Sequence, residues 1–292
     1  MEHQLWKVIV EWLLRCGKPR RPRDTFSDVE IAKVFFWAVL HDRPMSWACE
    51  QANWPIHERR WAKPSQSRLS RRLRSESVCQ LLKRLEHEVL RPQHDLQLVW
   101  MIDGKPLTIS GCSKDHQAGY GRAAGCKARG YKIHVLCGAD GSIAAWRLAP
   151  MNKDERTIAA RILRTTSVCG YVLGDANYDS NPLHEICEHR GNLQLVTPQR
   201  YGSQCGFGNR QQTKSRMHSA AMLETPHFEF GRNLFEQRTA IERLFGNLTN
   251  WGGGLTHLPP WARTYRRVHR WVQAKLILSQ LKHATNNSTY VN

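Results

Sequence analysis

The sequence predicts an α/β protein in which a mixed sheet flanked by helices follows an all-α front. Two observations carry that assignment. Residues 1–95 show no alternating strand pattern, and Pro19, Pro22, Pro44, Pro55 and Pro64 cut them into short helical pieces. From Leu96 onward, short apolar runs alternate with helical periodicities in the order strand, strand, strand, helix, strand, helix, strand, helix. The predicted organisation is a helical domain over 1–95 and a sheet domain over 96–292 that closes on a basic helix.

In the front, Ser27 caps a helix over Asp28–Leu40, with Glu30 three residues on as the second half of a capping box. The segment Pro64–Arg74 spaces Leu69 and Leu73 four apart, which puts both on one helix face and leaves Arg68, Arg71, Arg72 and Arg74 on the rest. Arginines and serine hydroxyls contact phosphates and guanine edges, so this is a candidate recognition helix; a solvated basic face is the plainer alternative.

The run from Leu98 to Ile102 is apolar throughout and reads as a strand buried on both faces, ended by Asp103-Gly104. A carboxylate at a core edge must be paired, hydrogen-bonded or metal-bound, although Asp-Gly is also a turn signal. Residues 104–132 read as a glycine-rich basic link. Tyr131–Cys137 and Ser142–Leu148 read as two strands around a turn at Gly138–Gly141, and 153–165 as a helix. Tyr171–Leu173 is a second short strand leading into an acid, Asp175. A helix over Pro182–Arg190 and a strand over Leu193–Thr197 follow. No structure is assigned to 199–233. A helix over Leu234–Asn250 carries the stripe Ile241, Leu244, Phe245 and Leu248 and stops at Gly252-Gly253-Gly254. Ala262–His283 holds Arg263, Arg266, Arg267, Arg270, Lys275 and Lys282 without an acid, over an apolar stripe of Trp271, Ala274, Leu278 and Leu281.

Composition narrows the partner. Forty-three lysines and arginines against 25 acids give a net charge of +18, an excess that points to a polyanion. The longest apolar run, Val34–Leu40, is too short to span a bilayer, and the charged N-terminal segment reads as an amphipathic helix, so nucleic acid is favoured over membrane. Nine scattered cysteines without a Cys-x-x-Cys pair suggest reduced thiols in a reducing cytosol; His184, Cys187 and His189 come nearest to zinc-ligand spacing.

Two acids that end neighbouring strands, Asp103 and Asp175, would repel across a short gap, and divalent cations relieve such repulsion. Glu242, at the border of the late helix stripe, is a candidate third ligand. Arg238 lies one turn earlier, placed to hold either that carboxylate or a substrate phosphate.

The carrying residues are Asp103, the run Gly174-Asp175-Ala176-Asn177-Tyr178-Asp179-Ser180, and Arg238-Thr239-Ala240-Ile241-Glu242-Arg243-Leu244-Phe245. With them, residues 96–283 resemble the catalytic domain of DDE-type bacterial insertion-sequence transposases, which share the ribonuclease H-like fold with retroviral integrases. The Pro-Ser-x-Ser-x-Leu-Ser-Arg-Arg-Leu run resembles the DNA-binding front of the same proteins. The resemblance implies that Asp103, Asp175 and Glu242 bind two Mg2+ ions, with Mn2+ able to substitute, for phosphodiester cleavage and strand transfer. It implies as partners double-stranded DNA at the terminal inverted repeats and the target, a homodimer on DNA, and a place at the nucleoid of a bacterial cytoplasm. Tyr178 and Arg238 join Arg68, Arg71, Arg72, Arg74, Arg263, Arg266, Arg267 and Arg270 as expected DNA contacts. Phe235 and Thr249 stand where many relatives have tyrosine and lysine, and the short Asp175–Glu242 interval leaves no room for a large inserted β domain. A retired transposase kept as a DNA-binding regulator, and a nuclease that cuts without joining, are the alternatives.

Overall fold

The computed structural model describes residues 2–20, 22–90, 97–109, 114–199, 212–224, 229–250, 255 and 258–289. The chain divides into two compact units, one made of 1–91, 250–255 and 259–292, the other of 92–249 and 256–258.

The first unit is helical: α1 (Glu2–Cys16), α2 (Asp28–Leu40), α3 (Met45–Ala48), α4 (Gln66–Arg72), α5 (Glu76–Val89) and α11 (Tyr265–Thr289). Residues Ile31–Leu40 of α2 are buried apart from Lys33, as a helix apolar all round must be. The Ser27 capping box forms: its hydroxyl accepts from Glu30 N, and Glu30 Oε2 accepts from Ser27 N at 2.7 Å. Leu69 and Leu73 are buried under α4 as their spacing predicts.

The basic C-terminal helix α11 belongs to this unit and not to the sheet domain in which the sequence grouping puts it. Its stripe of Trp271, Ala274, Leu278 and Leu281 is buried, but so are Val268, Val272, Leu276 and Ile277. A surface this wide needs several neighbours, and α1, α2 and α5 supply them. Lys275 is therefore not a polyanion-facing residue: it is 2 % exposed and bonded to Asp42 at 2.5 Å.

The second unit is built on a six-stranded mixed sheet. Its strands are β1 (Val99–Thr108), β2 (Gly119–Ala123), β3 (Cys126–Gly138), β4 (Ile143–Pro150), β5 (Gly170–Leu173) and β6 (Leu193–Val196). β3 runs antiparallel between β1 and β4, with β2 on its first half, while β1, β5 and β6 are parallel. This is the ribonuclease H-like mixed sheet. Helices α6 (Glu155–Thr165) and α7 (Asn181–Arg190) bury Ile158, Ile162, Leu163 and Leu183 against Trp100, Ile102, Val172 and Leu195 on one face. Helices α9 (Glu229–Glu236) and α10 (Thr239–Asn250) reach the other face, where Phe230 meets Tyr171 and Phe245 lies 5.8 Å from Lys105 Nζ. Helix α8 (Lys214–Glu224) packs beside β6 and α7.

Three expectations need correction. Asp103-Gly104 is no turn: β1 continues to Thr108 because the 13-residue β3 pairs with it as far as Gly130. Much of the supposed basic link is thus strand. Pro106 is tolerated because alternate amides of β1 face β3, and its missing N–H falls on the edge that β5 has already left. The late helix is broken into α9 and α10 at Gln237-Arg238, and 199–233 contains α8 and the start of α9. Gly252–Gly254 lies outside the described residues.

Gly170 opens β5 with φ +100°, and a Cβ there would come 2.2 Å from the Leu98 carbonyl oxygen. Backbone atoms cannot yield, so Gly170→Ala is predicted to destabilise the sheet unit by more than about 2 kcal/mol. Urea unfolding followed by circular dichroism checks this; an unchanged midpoint would contradict the assigned β1–β5 approach.

Candidate active site

Strand β5 is only four residues long and accompanies β1 no further than the register Met101↔Leu173. Asp103 and Asp175 each lie two residues beyond that last pair, Asp103 still within β1 opposite Val135 of β3 and Asp175 in the turn that follows β5. The Asp103 carboxylate accepts the Gly104 amide at 2.7 Å. Gly104 is needed for lateral space, since a Cβ there would meet Lys132 Cδ at 2.8 Å and His134 Nδ1 at 3.1 Å. Asp175 caps the 3-10 turn Ala176–Tyr178, accepting from Asn177 N at 2.9 Å and Asn177 Nδ2 at 3.2 Å. Capping orients the carboxylate without excluding a ligand role, because a carboxylate has four lone-pair sites.

Burial pushes the Asp103 carboxyl up to about 6, with Asp175 and Glu155 adding repulsion and the Gly104 amide and Arg238 opposing it. Glu155 escaped the sequence reading. It stands in the first turn of α6, bonded to Lys132 of β3, and no strand-end pattern marks it.

Glu242 sits in the first turn of α10 with its side chain 61 % exposed, and accepts from Arg238 Nη2 at 3.3 Å. Its neighbours Ile241, Leu244, Phe245 and Leu248 are buried as the stripe predicts. Arg238 occupies the α9–α10 break, so one guanidinium both holds the third acid and offsets the charge at Asp103. Among the described residues, no three carboxylate, histidine or cysteine side chains converge as a metal cluster. Two of the three predicted acids therefore lie two residues beyond the last β1–β5 pair, while Glu242 is engaged by its arginine.

Tyr178 is not a DNA contact. It is fully buried in the core beneath the acids, and burial together with Asp103, Glu155 and Asp175 keeps its hydroxyl protonated. Asp179, the second acid of the same run, is a structural clamp: Arg216 Nε and Nη2 donate to it at 2.8 and 2.7 Å, tying α8 to the turn after Asp175. His184 is buried with Nδ1 3.2 Å from Ser215 Oγ. In the helical unit Arg68, Arg71, Arg74, Arg266 and Arg267 are exposed, and Arg263 and Arg270 are half-buried. Arg72 is taken up by ion pairs to Asp24 and Asp28 at 3.1 and 2.7 Å, so it is a brace and not a free cation.

The family model for the transposase DDE domain matches residues 96–281. The chain belongs to that family. The fold agrees: a cryo-EM structure of the piggyBac transposase synaptic complex with hairpin DNA aligns at TM-score 0.51 and 12 % identity, covering 99 % of this chain and 74 % of that one. The search of curated proteins found no match.

DDE transposases generally use divalent metal ions, and the donors here fit a hard cation in kind, all of them carboxylate oxygens. Asp103 carries its own test. Its carboxyl is raised in the folded state, so the folded protein binds more protons than the unfolded chain and stability falls as pH climbs from about 4 to about 6. In metal-free buffer Asp103→Asn should remove that fall and be more stable than the parent above pH 6 by roughly 1–3 kcal/mol. Thermal unfolding across this range decides; parallel curves for the two proteins would contradict the strained carboxylate.

Proposed function

We propose that the protein is an active DNA transposase that binds element ends through its helical unit and cleaves and joins DNA at the sheet edge. The observation that supports this most is the equal displacement of Asp103 and Asp175 past the β1–β5 register, with Glu242 held through Arg238. In this reading Asp103, Asp175 and Glu242 hold two Mg2+ ions, or Mn2+ in their place. When bound, such ions supply activation of the attacking oxygen and neutralisation of charge on the leaving one. Arg238, released from Glu242, offers its guanidinium to a phosphate oxygen, and Lys105 of β1 adds positive charge on the same face. Phosphoryl transfer asks chiefly for such positioning and charge compensation, which suits a site of acids and bases without a covalent nucleophile. The terminal inverted repeats and target DNA are the substrates, and a homodimer at the bacterial nucleoid brings two ends together.

The test supplies labelled element ends, a target duplex and Mg2+. Joined products that vanish in Asp103→Ala, Asp175→Ala and Glu242→Ala, by at least about a hundredfold, are the expected result. Cleavage without joining would instead indicate a nuclease, and binding without cleavage a regulator. A second readout is independent of turnover: millimolar Mg2+ should raise the melting temperature of the parent by mass action and leave Asp103→Asn unmoved. Equal shifts in both would remove Asp103 from the metal site.

A further inference from the structure

The hairpin formed by β2 and the first half of β3 has two unlike faces. Its turn, Ala124-Gly125, has positive φ at both residues, 49° and 79°, the two-residue geometry that fixes the register of the flanking strands. Cross-strand pairing then puts Gly119, Gly121, Ala123, Cys126, Ala128 and Gly130 on one face. Larger residues do not fit there: a Cβ on Gly119 would lie 2.3 Å from Asn152 Oδ1 and 2.8 Å from Asn152 N, and one on Gly121 would lie 2.9 Å from Met151 O. The small face is thus seated on the chain that leaves β4. The opposite face is made of Tyr120, Arg122, Lys127 and Arg129.

That second face looks to solvent. Tyr120 is 58 % exposed, with Lys127 Nζ 5.4 Å and Arg129 Cζ 5.7 Å from its ring centre. Arg122 and Lys127 are exposed and make no ion pair among the described residues. Arg129 donates to the carbonyls of Asp115 and Ala118, which pins the entry to β2. Residues 119–130 contain no acid. Charges on an edge strand also deter strand pairing, but either sign serves that purpose and none of it asks for an aromatic ring. A face of one sign around a tyrosine has a more specific complement: regularly spaced anions with apolar rings between them, as on a sugar–phosphate backbone. A two-stranded ribbon also has the width that the major groove of a duplex admits. Alternation along β3 sets Lys127 and Arg129 on the same face as Val135, whose partner across the sheet is Asp103. Eight residues of β3 lead from Lys127 to Val135, about 26 Å of strand and roughly eight base pairs of duplex. A single short duplex is long enough to reach from Asp103 to the ribbon.

We propose that the β2–β3 hairpin is a DNA-backbone contact of the sheet unit, in which Arg122 and Lys127 each neutralise a phosphate and Tyr120 packs against the deoxyribose between them. The assignment rests on the reading of the protein as a DNA transposase. It adds that the sheet unit holds the duplex itself, at a surface separate from its acids and from the helical unit.

The experiment measures binding of the full chain to a fluorescently labelled random-sequence duplex by anisotropy, over a series of salt concentrations. Both ribbon cations are exposed, so the double variant Arg122→Ala, Lys127→Ala should fold as the parent does, weaken binding at least about tenfold and flatten the dependence of log affinity on log salt by about two units. The swap Arg122→Lys, Lys127→Arg keeps both charges and should bind within about twofold of the parent at the parent's slope. Tyr120→Ala should weaken binding about threefold to tenfold and leave the slope unchanged, because no charge is lost. Arg161→Ala with Arg164→Ala removes two exposed arginines of α6, controls for loss of charge alone, and should change affinity less than about threefold. If the parent binds and the ribbon double variant behaves like the α6 double variant, or the charge-keeping swap binds as weakly as the alanine variant, the hairpin is no phosphate site, while the transposase reading stands. If Tyr120→Ala binds as the parent does, the ring has no part in the contact and the proposed constellation is wrong. A parent that binds no duplex at low salt overturns the site and the reading beneath it together.

Discussion

The parallel pairing of β1 with β5 is the interaction on which the candidate active site depends, and its early end matters as much as its existence. β5 keeps β1 company over only three register pairs, ending at Met101↔Leu173, while β3 holds the other side of β1 to Thr108. Past Met101, β1 is therefore held by β3 but no longer by β5, and Asp103 and Asp175 both lie just beyond the point where β5 stops. The approach is enforced at the start of β5: Gly170 allows the backbone to pass Leu98, and the Trp100 indole N–H donates to the Cys169 carbonyl at 2.9 Å. Beneath, Tyr178 fills the core and Arg216 ties the Asp179 turn to α8, so the loop that carries Asp175 is anchored just after the acid.

Electrostatics explains why the third acid stands apart. Asp103 is already burdened by Asp175 and Glu155, and a further carboxylate at the edge would deepen the repulsion unless cations came with it. Arg238 meets this by standing between the two groups, offsetting charge at Asp103 and binding Glu242. An exposed ion pair of i, i+4 geometry contributes only about 0.3–0.5 kcal/mol, so exchanging it for a stronger partner costs little. Under the proposed function, Glu242 is a ligand kept in waiting. Glu155 is already paired with Lys132 and shapes the field at the edge.

What was legible in the sequence was local or periodic. The Ser27–Glu30 box, the Leu69–Leu73 spacing and the α10 stripe each declare themselves within a few residues, and each stands in the structure as read. What was not legible depends on partners far along the chain. Asp103-Gly104 has the composition of a turn, but Gly104 is there to clear Lys132 and His134 across the sheet. The arginines of α4 look equivalent, yet Asp24 and Asp28 single out Arg72. Tyr178 reads as an exposed motif residue and lies in the core. Helix α11 follows the sheet domain in sequence, and only its breadth of apolar surface hints that it must be surrounded by α1, α2 and α5. Glu155 and Arg216 carry no signal at all, since neither sits in a motif or at a strand end.

Iron(II)-directed backbone cleavage tests the central claim most directly, because bound Fe2+ with ascorbate and peroxide cuts the chain where it resides. Asp103, Asp175 and Glu242 are predicted to mark three cutting zones in the parent, all suppressed together by excess Mg2+ and all lost in Asp103→Asn. Cutting near 103 and 175 but never near 242, or cutting that Mg2+ does not suppress, would contradict a shared three-carboxylate metal site.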